Sequence, residues 1–138
     1  WFLLAEPLHR GVRDLLRELN RVEAERPALW AADTTPAGFA WLDADDRETS
    51  VYSFLRLGEG GVVAVVANLT PVPRHGYRLG LPRGGRWVDV LNTDDERWGG
   101  SGITQPEVGA DGTPWQGQPD SAVLTLPPLA VRWLAPAG

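Results

Sequence analysis

The residues able to do chemistry are few, and their spacing keeps them apart. Histidine occurs twice, as His9 and His75, on different segments, and cysteine is absent. A His/Cys metal site and a disulfide framework are therefore not expected. Asp43-Ala44-Asp45-Asp46 starts like a calcium loop. Its sixth position, where such a loop must turn on glycine, is Glu48, so the stretch reads as a solvated hairpin turn. Asp94-Asp95-Glu96 offers paired carboxylates for acid–base work on a glycosidic bond. A glycine-rich setting supplies nothing apolar to lift either pKa, and a wet loop is expected instead. Gly99-Gly100-Ser101-Gly102 follows no strand and opens no helix, which removes a phosphate cradle. Asn68-Leu69-Thr70 matches a glycosylation acceptor but reads better as strand-end turn chemistry. No serine sits in a nucleophile-elbow pattern. By its own residues the chain is expected to hold no catalytic centre, metal or cofactor.

Aromatic chemistry is the richer vein. Seven tryptophans stand in 138 residues, and an indole either fills a core or offers a flat apolar face to a ligand. Strand parity assigns three of them to the core: Trp41 with Phe39, Trp87 with Leu91, and Trp133 with Val131. Trp98 and Trp115 differ, because they lie in a long Gly-, Pro- and Asp-rich connection spanning 92–120. There a ring pins the loop to the fold or stacks on a sugar, and pinning is the expected use.

The elements that carry these residues follow from periodicity. Pro7 can open a helix whose apolar stripe is Leu8, Val12, Leu15, Leu16, Leu19 and Val22, and Pro27 ends it. Arg10 with Asp14, and Arg21 with Glu25, are spaced to pair on its wet side. Seven short strands are expected over 39–43, 51–57, 62–68, 77–81, 86–91, 121–126 and 129–134, separated by turn-rich segments. The valine-rich run 62–67 reads as buried on both faces, and 77–81 as its partner after a turn at 68–73. Such spacing predicts a mostly β fold, an antiparallel sandwich, preceded by one amphipathic helix. The helix needs something to dock on; alone, it is expected to dangle or to settle on the sandwich. The boundary between the two falls at 27–38, giving segments 1–35 and 36–138.

Composition narrows the partners. A hydrophobic content of 43% with 22% charged residues argues for a packed domain rather than disorder. The net charge of -5 offers no basic footprint for nucleic acid or an anionic membrane. The chain begins with Trp1 and has no signal-peptide pattern, so it reads as a piece of something larger, and the lack of cysteine fits a cytoplasmic setting.

Five stretches in order, LAEPLHRGVRDLLRELNRVEAERPAL, GFAWLDADDRETSVYSFLR, ANLTPVPRHGYRLGLP, WVDVLNTDDERWGGSG and LTLPPLAVRWLAP, resemble the carboxyl-terminal part of bacterial 1,4-α-glucan (glycogen) branching enzymes. These belong to the α-amylase family, whose (β/α)8 barrel is followed by an all-β sandwich. The resemblance implies that the helix is the last of the barrel and that 36–138 is the sandwich. It implies α-1,4-glucan as the parent's partner and the remainder of the barrel as the helix's. The family's nucleophile, general acid and third carboxylate map to no position here, so no catalytic residue carries over. Loops entering barrel helices lie on the catalytic face, which makes Trp1 and His9 candidate glucan contacts beside Trp98 and Trp115. The rival reading is a free-standing carbohydrate-binding or interaction sandwich without an enzymatic parent.

Overall fold

The computed structural model describes residues 2–103, 105 and 107–138. Pro7 opens α1 (Pro7–Glu25), where its missing N–H would have no helical partner anyway. Pro27 starts a separate 3-10 turn, Pro27–Leu29. Arg21 bridges Glu18 at 2.7 Å and Glu25 at 2.6 Å. Asp14 takes Arg13 and Arg17 rather than the expected Arg10.

Eight strands follow among the described residues: β1 (Phe39–Asp46), β2 (Val51–Gly58), β3 (Gly61–Asn68), β4 (Arg74–Leu81), β5 (Gly85–Asn92), β6 (Glu107–Ala110), β7 (Asp120–Leu126) and β8 (Ala130–Pro136). The one not expected from sequence is β6, four residues with a single buried side chain, Val108. All strands pair antiparallel, six in the order β1-β2-β3-β8-β5-β6 and two as β4-β7. The two sheets close on a core that includes Leu55, Val66, Leu79, Trp87, Leu124 and Leu134.

The valine run is buried on both faces, as its lack of alternation required. Ala64 and Val66 point into the space between the sheets. Val63 and Val65 point outward into a second cluster with Val22, Ala28 and Leu29. The expected pairing of this run with 77–81 does not occur. β3 pairs with β2 and β8, while β4 crosses to the small sheet and pairs with β7. Pro71 and Pro73 lack the N–H groups that a tight return ladder would use, and the crossing lets Leu79 and Leu81 face the six-stranded sheet. Leu129, expected as the first residue of the last strand, lies just before β8 with a φ of 47°.

The helix docks on the sandwich. Val22 is buried over the outer side of the large sheet. Nearer its start, Gly11 lies so close to the loop after β5 that a Cβ there would stand 2.4 Å from the Trp98 carbonyl oxygen. Arg56 of β2 adds a hydrogen bond to the Leu29 carbonyl, at 3.0 Å, and an ion pair with Asp33. Of the rest of the apolar stripe, Leu15 and Leu19 are partly buried, whereas Leu8, Val12 and Leu16 are exposed.

This close approach gives a test. Gly11→Ala would raise helix propensity by about 1 kcal/mol. The added methyl nevertheless collides with rigid backbone, and overpacking of that kind costs about 1–3 kcal/mol. A net fall in the urea midpoint is expected; an unchanged or higher midpoint would mean that α1 stands off from the loop.

Candidate functional site

The sequence singled out four positions. Trp1 lies outside the described residues. His9 is exposed near the start of α1, its Nδ1 3.3 Å from the Leu3 carbonyl oxygen. Trp98 ends the 3-10 turn Glu96–Trp98; its indole N–H donates to the Asn92 carbonyl at 2.9 Å. The Arg97 guanidinium lies 4.3 Å from the centre of that ring, and Leu8 sits against Gly99. The fold therefore brings the first turns of α1 together with the Trp98 loop. It leaves Trp115 elsewhere, on a turn beside β4, where the Trp115 carbonyl closes on Gly80. Trp98 anchors its loop, whereas Trp115 is 48% exposed.

The acidic run is a folding knot rather than a wet loop. Asp94 is buried, and its carboxylate accepts from the Ser101 N–H at 2.9 Å and the Ser101 hydroxyl at 2.5 Å. Asp95 caps the 3-10 turn by accepting from the Arg97 N–H. Only Glu96 of the three is exposed. Two acids tied to their own loop are not placed to share a glycosidic oxygen.

Sequence parity placed Trp41 in the core, and the structure overturns this. Trp41 is 55% exposed on the outer side of edge strand β1, beyond the reach of α1. It stacks edge-on to Phe39 and Phe54, with ring centres 5.0 and 5.7 Å away. Registers carry the row inward from Trp41 to Phe54, Val65 and Trp133 on β1, β2, β3 and β8. Beside the row, a cleft of about 300 Å³ opens against Leu19, Glu23, Leu29 and Arg56. Three aromatics on paired strands were visible in the sequence. That their shared face is the outer one was not, because parity groups Phe39 with Trp41 without saying which side of the sheet is covered.

One buried ion pair holds the opposite side of this sheet. Arg132 of β8 is 1% exposed and donates to Asp89 at 2.9 and 3.0 Å, to the Thr125 carbonyl at 2.8 Å and to the Gln105 carbonyl at 2.7 Å. It ties β5, β7 and the long connection to one side chain. Burial pushes the Asp89 carboxyl up to about 6, against the pull of Arg132.

Among the described residues no group of three or more His, Cys, Asp or Glu is placed to hold a metal ion, and no helix is long and apolar enough to cross a membrane. The 1,4-alpha-glucan branching enzyme GlgB of Burkholderia pseudomallei is 53% identical over 99% of this chain and 19% of its own length. The GlgB proteins of Rubrobacter xylanophilus and Thermobifida fusca are 50% and 48% identical over 99% and 97% of this chain and 19% and 18% of their own length. The chain thus spans under a fifth of the relatives it matches. Among solved structures, a variant of the trehalulose synthase MutB superposes with a TM-score of 0.53 at 21% identity, over 86% of this chain and 17% of that one. The α-amylase from H. orenii gives 0.53 at 14% identity, over 90% and 20%. At such identities the likeness is one of fold. Residues 41–137, which hold the sandwich from Trp41 to the end of β8, match the family model described as the alpha amylase C-terminal all-beta domain, and the chain belongs to that family.

Proposed function

We propose that this chain is part of a 1,4-α-glucan branching enzyme, with 1–35 as the last loop and helix of its catalytic barrel and 36–138 as its carboxyl-terminal sandwich. The observation that carries the reading is identity to GlgB proteins running through α1 as well as the strands, 53% over 99% of the chain. A free-standing sandwich has no use for a helix that keeps Leu8, Val12 and Leu16 exposed. In the parent those side chains rest on the remainder of the barrel, and their burial there stabilises the assembly by about 1.5–3 kcal/mol each.

The parent cleaves an α-1,4 bond by the two-carboxylate retaining route and passes the chain to a glucose 6-hydroxyl. It needs no cofactor, works in the cytoplasm, and has neither nucleic acid nor membrane as a partner. This chain supplies none of the reacting carboxylates. Its part is to brace the barrel and to hold glucan: the exposed Trp41 ring offers an apolar face to a pyranose, while His9 and the Trp98 loop lie at the helix start that borders the barrel's catalytic face.

The test is branching itself. Joined to its upstream sequence, the protein should convert amylose into branched glucan, read as falling iodine absorbance and short chains released by a debranching enzyme. The 138-residue chain alone should leave amylose unchanged. Branching by the homogeneous short chain would sink the assignment.

A further inference from the structure

We propose that the turn at 114–119 is a glucan-stacking site in its own right, separate from the Trp41 face and built on Trp115 and Gln118. It rests on the branching-enzyme reading for the identity of the sugar. Trp115 and Gln118 exchange both backbone hydrogen bonds, at 3.1 and 2.9 Å, around Gln116 and Gly117 with φ of 50° and 73°. That is a tight two-residue turn with both central residues left-handed. Its base is fastened on several sides. The Gln116 side chain accepts from the Gly80 N–H at 2.9 Å and donates to the Tyr77 hydroxyl at 3.3 Å. Asp120 accepts from the Gly112 N–H and Asp111 from the Thr113 N–H. Pro114 and Pro119 fix φ on either side. A loop held this way loses little conformational freedom when a ligand settles on it.

The chemistry presented fits a neutral polyol. A directly opposed hydrogen-bonded pair projects both side chains to one side. A sugar ring's C–H face can therefore lie on the exposed Trp115 side chain, while the amide of the partly buried Gln118, whose stem packs over Gly80, can donate to and accept from its hydroxyls. Segment 112–119 carries no charged residue. The flanking acids turn away: Asp111 takes Arg78 at 2.9 Å, and Asp120 takes backbone N–H groups. Phosphates and acidic or basic peptides find no counter-charge there. Trp41 lies on the outer side of the large sheet and Trp115 beside the small one, so the two contacts hold different stretches of glucan.

The experiment is affinity electrophoresis of the 138-residue chain in gels containing glycogen, with melting temperatures alongside. Trp115→Ala should weaken retention about five- to tenfold, the share of one aromatic contact, and shift the melting temperature by less than about 2 °C. Trp115→Tyr, which keeps a ring, should restore most of the retention, and Gln118→Ala should lose part of it. Retention by Trp115→Ala equal to that of the parent chain overturns the site, as does loss that Trp115→Tyr fails to restore. A parent chain that glycogen does not retain at all overturns it too. Branching by the longer protein then shows whether the enzyme reading survives without the site.

Discussion

Asp89→Ala is expected to cost about 3–5 kcal/mol, because it strands the buried Arg132 cation with two carbonyls for company. Arginine cannot shed its proton to escape, so the whole penalty falls on the fold. Asp89→Asn should cost far less, about 1 kcal/mol, since an amide oxygen still accepts from the guanidinium while the desolvation of a carboxylate is avoided. The two variants differ in pH behaviour as well. The folded state holds the Asp89 proton up to about 6, against an ordinary value of 3.8. Its contribution is therefore full below the lower value and lost as pH rises through the upper one, about 3 kcal/mol in all. Asp46 and Asp111 act in the opposite sense. The Thr49 hydroxyl and the Arg78 guanidinium hold them below the ordinary value, so their support is lost only at more acid pH. Urea midpoints between pH 4 and 7 should fall in the wild type and stay level in Asp89→Asn. An Asn variant as damaged as the Ala variant would show that the charge, not the acceptor, holds this joint.

Two tryptophans that strand parity assigned alike to the core should give opposite results. Trp87 is wholly buried between the sheets and donates its indole N–H to the Arg83 carbonyl at 3.2 Å. Trp87→Ala should cost about 3–5 kcal/mol and leave much of the protein unfolded at 37 °C. Trp41→Ala removes only edge-on contacts with Phe39 and Phe54, worth about 0.5–1.5 kcal/mol each, and should leave a cooperative melt. Glycogen retention should drop for Trp41→Ala despite that intact melt. A Trp41 variant as unstable as the Trp87 variant would place the outer aromatic row in the core after all.

What the sequence determined by itself was local. Pro7 and Pro27 bound α1, as the missing N–H dictates. The unalternating valines of β3 announced two covered faces, and Ala64 and Val65 fill one each. Turn-rich punctuation separated seven of the eight strands, and the loop setting of Trp98 and Trp115 was plain.

What only the tertiary structure decided was every choice between equivalent sides or partners. Periodicity puts Phe39 and Trp41 on one face of β1, but which face is dry depends on what lies over it: Val22 of α1 with Ala28 and Leu29 of the following turn cover Val63 and Val65, while Trp41 stays exposed. Nothing local tells β4 to leave β3 for β7, since either pairing satisfies the same alternation and only the closure of two sheets on one core separates them. Asp89 and Arg132 lie 43 residues apart, and their meeting is a consequence of the β5–β8 register. The two loop tryptophans part for the same reason: a carbonyl of β5 and the start of α1 come within reach of Trp98, while the hairpin beside β4 holds Trp115 out in water. Local sequence sets which side chains share a face, and long-range packing, driven by burying the most apolar area, sets which faces meet.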